Sequence, residues 1–419
     1  MHWDFKITAT LVIFCITYAG LAIGHIFWLR LDRTGIAFLG AVSILAFSCI
    51  SLHGAIDSVN FDALLLLFGL MVVSSQLHYA GFYTKIAEKI SSLLSKPQIF
   101  MMLLMTCTGI LSSVLNNDVV CLAFTPVVAA ALMKKNMNPV PFLIALALSS
   151  NIGCALTIIG NAQNVLLGQI AGLHFGTYLL WASVPVVLSM LAAYKIVIML
   201  SKGKFHLDND GKSAALPEDD TPFDLWRSIK GTGIIVIMII LFFTDLPKYL
   251  VAITGAGILL CSHRLDSKKV LALVDWQLLL LFIGLFVVVG AFKDSGLADF
   301  FLKSAQNAGI NINNSYVLTL GTGALSNMIN NSAAVMLLVK VVNLGSHLNS
   351  AIIAISNTFA GNFLIIGSLA NIIVVQSASN SGVKISFAEF ARYGIPVSSA
   401  SFVILIAWVF ISKLAGWNL

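Results

Sequence analysis

Apolar residues in this chain come in long runs, not in alternation. Residues 7–28, 35–52, 63–74, 99–105, 119–133, 142–148 and 178–200 are strongly apolar, and a second set follows residue 230. A bilayer crossing takes about 20 mostly apolar residues, and several runs reach that length, which predicts an all-α, multi-pass membrane protein. The first run is too long for a signal-peptide core and lacks a small-residue cleavage pattern, so it is expected as the first span. One long polar stretch, HLDNDGKSAALPEDDTPFD within 201–230, breaks the pattern and is expected as a linker.

The pattern runs twice. NFDALLLLFGLMVVSSQLHYAGF at 60–82 aligns with DWQLLLLFIGLFVVVGAFKDSGL at 275–297, and LSSVLNND at 111–118 with LSNMINNS at 325–332. Ser150-Asn151 aligns with Ser356-Asn357, IIGNAQN at 158–164 with IIGSLAN at 365–371, and Pro185 with Pro396. Membrane composition alone would match Leu with Val, not Asn-Asn pairs and Gly-x-x-x-Asn. The chain therefore reads as a duplication, with one repeat at 1–200, a cytoplasmic linker at 201–230 and the other repeat at 231–419.

Each repeat is expected to hold five transmembrane helices and one re-entrant helical hairpin. In the first, the spans fall at 7–28, 35–52, 61–80, 141–172 and 177–200, with the hairpin at 99–133. A re-entrant hairpin puts Asn116, Asn117 and Asp118 near mid-depth, where non-helical backbone is tolerated only inside protein or a wet cavity. With that topology, 16 of the 24 Lys and Arg residues collect on one side and six on the other. The basic side is then cytoplasmic, both termini lie outside, and the odd number of spans inverts the second repeat.

Composition supports the membrane assignment: 58% of the residues are hydrophobic and 10% charged, against about 45–50% and about 25% in soluble domains. The formal charge of +6 sits in short loops between spans, so it marks orientation and not a nucleic-acid partner. Six cysteines lie in or beside apolar segments without a Cys-x-x-Cys, which suits packing and neither disulfides nor a thiolate metal site. The chain has no Walker A run and no nucleophile elbow, and its His and Cys residues have no metal-ligand spacing. No cofactor, metal or enzymatic activity is expected.

What remains is a polar constellation inside apolar sequence. The hairpin tips carry Asn116, Asn117 and Asp118, and Asn330, Asn331 and Ser332. The expected broken spans carry Ser150-Asn151 with Gly160-Asn161-Ala162-Gln163-Asn164, and Ser356-Asn357-Thr358 with Gly361-Asn362 and Gly367-Ser368-Leu369-Ala370-Asn371. Unwinding at glycine frees carbonyls for a cation, and half-helix N-termini offer amide hydrogens to an anion. Inverted repeats with broken helices at mid-depth are a signature of secondary transporters. Candidate substrate- or ion-binding residues are therefore Asn116, Asn117, Asp118, Asn151, Gly160, Asn164, Asn330, Asn331, Ser332, Asn357, Thr358, Asn362, Gly367, Ser368 and Asn371. The bland alternative is that these polar groups only join neighbouring helices. Asp118 stands apart as the one carboxylate expected deep in an apolar region. Burial disfavours its charge, which suits proton or cation coupling, while a helix-capping role is the structural alternative. Its counterpart is the neutral Ser332.

Over nearly its full length the chain resembles the ion transporter superfamily, and within it the arsenite-permease branch. The resemblance rests on LNNDVVCLAFTPVV at 115–128, LSNMINNSAAVMLL at 325–338 and IIGSLANIIVV at 365–375. It implies that the two hairpin tips and the segments 160–164 and 367–371 form the site, that the protein is a homodimer in a bacterial inner membrane, and that a soluble ATPase subunit is a candidate partner. Arsenite permeases carry a Gly-Pro-Lys-x-Thr-Pro run before the second Ile-Gly-Ser. Here that stretch reads Ala360-Gly361-Asn362-Phe363-Leu364-Ile365, a form closer to citrate-type relatives. The expected activity is secondary transport of a small inorganic ion or oxyanion, arsenite or antimonite efflux coupled to protons or membrane potential foremost. Proton- or sodium-coupled citrate or dicarboxylate carriage and Na+/H+ antiport are alternatives, as is a channel or sensor on the same fold.

Overall fold

A computed structural model describes residues 4–23, 31–91, 94, 96–202, 205, 223–261, 267–307, 309 and 311–417. The end of the expected first span and most of the expected linker, with Arg30, Lys204, Lys212 and Arg264, lie outside the described residues. The rest is nearly all helix. In chain order the first ten helices are α1 (Phe5–Ile23), α2 (Arg33–Ala46), α3 (Leu52–Ser58), α4 (Phe61–Tyr79), α5 (Phe82–Ser91), α6 (Pro97–Val114), α7 (Asn117–Lys134), α8 (Val140–Cys154), α9 (Ala162–Ile170) and α10 (Phe175–Leu200). The next ten are α11 (Leu225–Phe242), α12 (Lys248–Leu260), α13 (Ser267–Ala272), α14 (Trp276–Asp294), α15 (Leu297–Asn307), α16 (Ser315–Ile329), α17 (Asn331–Val341), α18 (His347–Ala360), α19 (Leu369–Asn380) and α20 (Phe387–Leu414). Eight of them, α1, α4, α6, α7, α10, α11, α14 and α20, are long and apolar enough to cross a membrane.

The two sets of ten match element by element, down to their start signals. Asn60 caps α4 by accepting from the Ala63 amide at 2.8 Å, and Asp275 caps α14 by accepting from Leu278 at 2.9 Å. Proline sits inside both α10 and α20, at Pro185 and Pro396. The halves are interlaced. α4 crosses α12 and α14 crosses α2, while α10 runs against α20. Both crossings need glycine: a Cβ on Gly69 would lie 2.7 Å from the Ala252 carbonyl carbon, and one on Gly284 would lie 2.8 Å from that of Ala37. The Trp408 indole in α20 also donates to the Trp181 carbonyl in α10, at 3.1 Å.

Several details differ from the sequence expectation. The second span is shorter than 35–52: α2 stops at Ala46, and Ser48 takes a φ of +53° in the turn before α3. Helices α5 and α15, unmarked in the apolar pattern, link α4 to α6 and α14 to α16. Both alternate charged and apolar faces over 10 and 11 residues, too short and too polar to cross a bilayer. The expected broken span at 141–172 is α8, a non-helical stretch at 155–161, and α9. Its counterpart is α18, a stretch at 361–368 containing one 3-10 turn (Ile365–Gly367), and α19.

Candidate functional site

Two helix breaks form the floor of the site, and one residue type holds each open. Asn164 Nδ2 donates to the carbonyls of Cys154 at 3.3 Å and Thr157 at 3.2 Å. Asn371 Nδ2 does the same for Gly361 at 2.7 Å and Leu364 at 3.1 Å. Unwinding leaves carbonyls without helical partners, and in a buried setting these must be satisfied. The Asn of each Gly-x-x-x-Asn run therefore braces its own break. These bonds also fix the correspondence between halves one residue along from the Ser150-Asn151/Ser356-Asn357 alignment. Cys154 matches Gly361, so Asn151 matches Thr358 and Ser150 matches Asn357.

The breaks are tied across the halves. Asn151 Nδ2 donates to Asn362 Oδ1 at 2.9 Å and to Asn371 Oδ1 at 2.8 Å. Its Oδ1 accepts from Ser368 Oγ at 3.0 Å and from Asn117 Nδ2 at 3.3 Å. All four hydrogen-bonding positions of that side chain are used. On the other half, Thr358 Oγ1 accepts from Asn161 Nδ2 at 3.2 Å, and Asn161 Oδ1 caps α9 through the Asn164 amide at 2.7 Å.

The hairpin tips close over this floor. Asn116 caps α7, accepting from the Asp118 amide at 2.9 Å. The second tip is tighter: Asn330 sits between α16 and α17 with φ +80° and ψ +146°. Non-glycine residues rarely adopt that conformation, and it is held only where the surroundings over-determine it. Ser326 in α16 donates to Asn331 Oδ1, and Gln163 Nε2 donates to Ser332 Oγ at 2.8 Å, joining the first break to the second tip.

Tips and breaks from both halves line one cavity of about 490 Å³. Of the residues expected from sequence, it gathers Asn117, Asp118, Asn151, Asn330, Asn331, Ser332, Thr358 and Ser368. Asn116, Gly160, Asn164, Asn357, Asn362, Gly367 and Asn371 do not line it. Asn164, Asn362 and Asn371 turn inward as braces, Asn362 donating to the Leu148 carbonyl at 3.1 Å, and Asn357 is fully buried behind the second tip. The sequence singled out Asp118 as the lone deep carboxylate; the cavity also takes in two carboxylates at helix starts that sequence reasoning missed, Asp32 and Asp275, the caps of α2 and α14. Arg33 is the one Lys or Arg among the described lining residues. Thr34 Oγ1 donates to the Gln277 carbonyl at 3.3 Å there, tying the two helix starts together. The signal for these missed groups was present: each Asp lies three residues before the body of an apolar run, where a cap is expected.

A family model described as a citrate transporter matches residues 21–346. The chain belongs to the citrate transporter family. That membership agrees with the superfamily resemblance of the hairpin segments, and it makes the protein a multi-pass membrane transporter. An uncharacterized transporter of Mycobacterium tuberculosis is 29% identical, over 91% of this chain and 94% of that protein. A silicon efflux transporter of rice, Oryza sativa subsp. japonica, is 26% identical over 88% and 90%. The crystal structure of the YdaH transporter of Alcanivorax borkumensis has the same fold, with a TM-score of 0.59 over 99% of each chain at 13% identity.

Proposed function

We propose that this citrate-family protein is a secondary transporter that carries a small neutral hydroxide, arsenite or antimonite foremost, out of the cell in exchange for protons. The observation behind this reading is the convergence of two hairpin tips and two broken helices on one polar cavity. In this reading the halves are inverted repeats joined through 201–230, and both hairpins are re-entrant. The legs of the first, α6 and α7, are long enough to cross, those of the second, α16 and α17, are shorter at 15 and 11 residues, and both tips abut helix breaks in the middle of apolar sequence, the place expected of a midplane site. The cavity's Asp32, Arg33 and Asp275 lie at the ends of α2 and α14, on the side that loop charge makes cytoplasmic. The cavity is then open inward, with both termini outside.

The charge balance favours a neutral guest. Three carboxylates and one guanidinium line the described cavity, and neither tip carries Lys or Arg. A multiply charged carboxylate would need fixed cations or bound metal to replace its water, whereas arsenite at neutral pH is largely an uncharged trihydroxide that Asn and Ser groups satisfy without that cost. The similarity to a transporter named for silicon efflux lends further weight. Asp118, on the cavity, serves as the proton-coupling group. A second reading, proton- or sodium-coupled citrate transport, is favoured by the family's description and by Arg33.

The test is expression in an arsenite-sensitive bacterial strain lacking its own efflux pump. Raised tolerance to arsenite and antimonite is expected. Unchanged sensitivity, with the protein confirmed in the membrane, would shift the assignment to the carboxylate reading, to be checked with labelled citrate in proteoliposomes.

A further inference from the structure

Away from the central cavity, helices α16 and α20 leave a groove of about 410 Å³ between them. α16, the first leg of the second hairpin, lends it Leu320, Ala324 and Asn327, and α20 lends it Ser399, Val403 and Ile406. Steps of four and three residues keep each set on one face of its helix. The Phe402 ring is drawn inward: a Cβ on Gly323 would lie 2.6 Å from Phe402 Cζ, and the ring meets that of Phe363 with centroids 5.7 Å apart. Phe402 therefore lies along the base, and the space beside Ala324 and Val403 stays open. Leu320 and Val403 are 57% and 67% exposed. The groove thus opens sideways off a membrane-crossing helix, where the surroundings are lipid and not water.

One end of the groove is charged. The α20 face continues through Phe410 to Lys413, again at steps of four and three, and the α16 face runs back from Leu320 to Tyr316. There the Lys413 ammonium lies 5.3 Å from the centre of the Tyr316 ring, closing the two faces together. Lys413 makes no ion pair with a carboxylate among the described residues. Trp417 meets Trp408 edge-on nearby, at 5.6 Å. Lys, Tyr and Trp gathered at a helix end mark the level of the lipid headgroups. Helical rise puts Lys413 about 10 Å beyond Ile406 and about 20 Å beyond Ser399, while one leaflet's hydrocarbon is about 15 Å deep. The groove therefore spans the depth of an acyl chain whose headgroup would sit at Lys413.

We infer that this groove is a binding site for an anionic phospholipid, with the phosphate against Lys413 and one acyl chain between α16 and α20. Charge complementarity selects the headgroup, since a lone cation at headgroup level attracts acidic lipid. The chain would pack on a leg of the second hairpin and against Phe363 in the second helix break. Asn327, which lines the groove, also donates to the Gly323 and Ala360 carbonyls at 3.0 and 3.2 Å, tying that leg to α18. Bound lipid would thus brace the second hairpin from outside without entering the central cavity. The site goes beyond the transport activity and holds for either substrate reading.

The experiment uses the full chain in detergent, stripped of lipid and then mixed with phosphatidylglycerol or phosphatidylcholine. Native mass spectrometry counts the lipid retained and the oligomeric state, and thermal melts check folding. The wild-type chain is expected to retain one phosphatidylglycerol, about fivefold in preference to phosphatidylcholine. Lys413→Ala should cut that retention about fivefold, and Lys413→Arg should restore it. Ala324→Phe fills the groove from α16 and should lose the lipid, while its lipid-free melting temperature stays within about 3 °C of wild type. Val403→Trp fills the groove from α20 and decides the matter if Ala324→Phe does not fold. Undiminished phosphatidylglycerol in a folded groove-filling variant, or equal retention of both lipids by wild type, would overturn the site. A wild-type dimer that Ala324→Phe splits, with lipid retention unchanged, would assign the groove to a second copy of the chain instead. None of these outcomes bears on whether the chain transports arsenite or citrate.

Discussion

The two hairpins share an architecture and differ in how they are fastened. The first is zipped to α8 by hydroxyl pairs: Thr108 with Ser149 at 2.7 Å and Ser112 with Ser150 at 2.7 Å, with Ser150 reaching on to the Asn117 carbonyl at 3.4 Å. The second packs on α18 through the equivalent positions, but it bonds to backbone carbonyls, Ser326 Oγ to Asn357 at 3.4 Å and Asn327 Nδ2 to Ala360 at 3.2 Å, and makes no side-chain pair there among the described residues. Thr322 Oγ1 and both amide atoms of Asn357 are buried without a partner among the described residues, as is Asn327 Oδ1. Asn357 is 1% exposed, and Ser326, the counterpart of Ser112, bonds to Asn331 and to the Asn357 carbonyl but not to the Asn357 side chain. Add the strained Asn330, and the seam of hairpin two with α18 carries unpartnered side-chain atoms where that of hairpin one with α8 carries pairs. Such orphans are costly in an interior, since a buried group gives up water without replacement.

The largest effect should come from the one charge that distinguishes the tips. Asp118→Asn, which makes the first tip as neutral as the second, should abolish pH-driven flux in proteoliposomes while the melting temperature stays near wild type. Undiminished proton-coupled transport would remove Asp118 from coupling and reduce the difference between the tips to hydrogen bonding.

Next in size is the fastening of the first tip to the opposite break. Asn151→Ala removes four hydrogen bonds and leaves the oxygens of Asn362 and Asn371 unpaired. At about 1–3 kcal/mol for each buried partner left unsatisfied, the loss should be about 3 kcal/mol or more, read from denaturant unfolding in detergent. A loss below about 1 kcal/mol would mean that the halves are held together without this residue.

The smallest effect compares the two zips directly. Ser150→Ala breaks a made pair and should cost about 1 kcal/mol. Asn357→Ala deletes two orphaned atoms, which offsets the packing it loses, and should fall within about 0.5 kcal/mol of wild type. Equal losses in thermal melts of the two variants would show that Asn357 is satisfied after all and would erase the asymmetry.

Much of this was legible along the chain. Run length marked the membrane helices, because a bilayer demands a minimum apolar length from each span independently of its neighbours. The matched Asn-Asn and Gly-x-x-x-Asn runs located both hairpin tips and both breaks, because helix interruption is written locally by glycine and by side chains that replace backbone partners. The short amphipathic α5 and α15 escaped because their signal is periodic and not long.

Tertiary structure alone decided what each polar residue does. Asn164 and Asn371 looked like ligands and became braces; Asn357 looked like a ligand and became an orphan; Asp32 and Asp275 looked like caps and also joined the cavity. The partners of Asn151 lie 211 and 220 residues away in the chain, so no local pattern could name them. A side-chain amide both donates and accepts, and sequence does not say which end it shows. That is settled by the carbonyls and hydroxyls which folding brings against it, in an interior where every such group must find a partner.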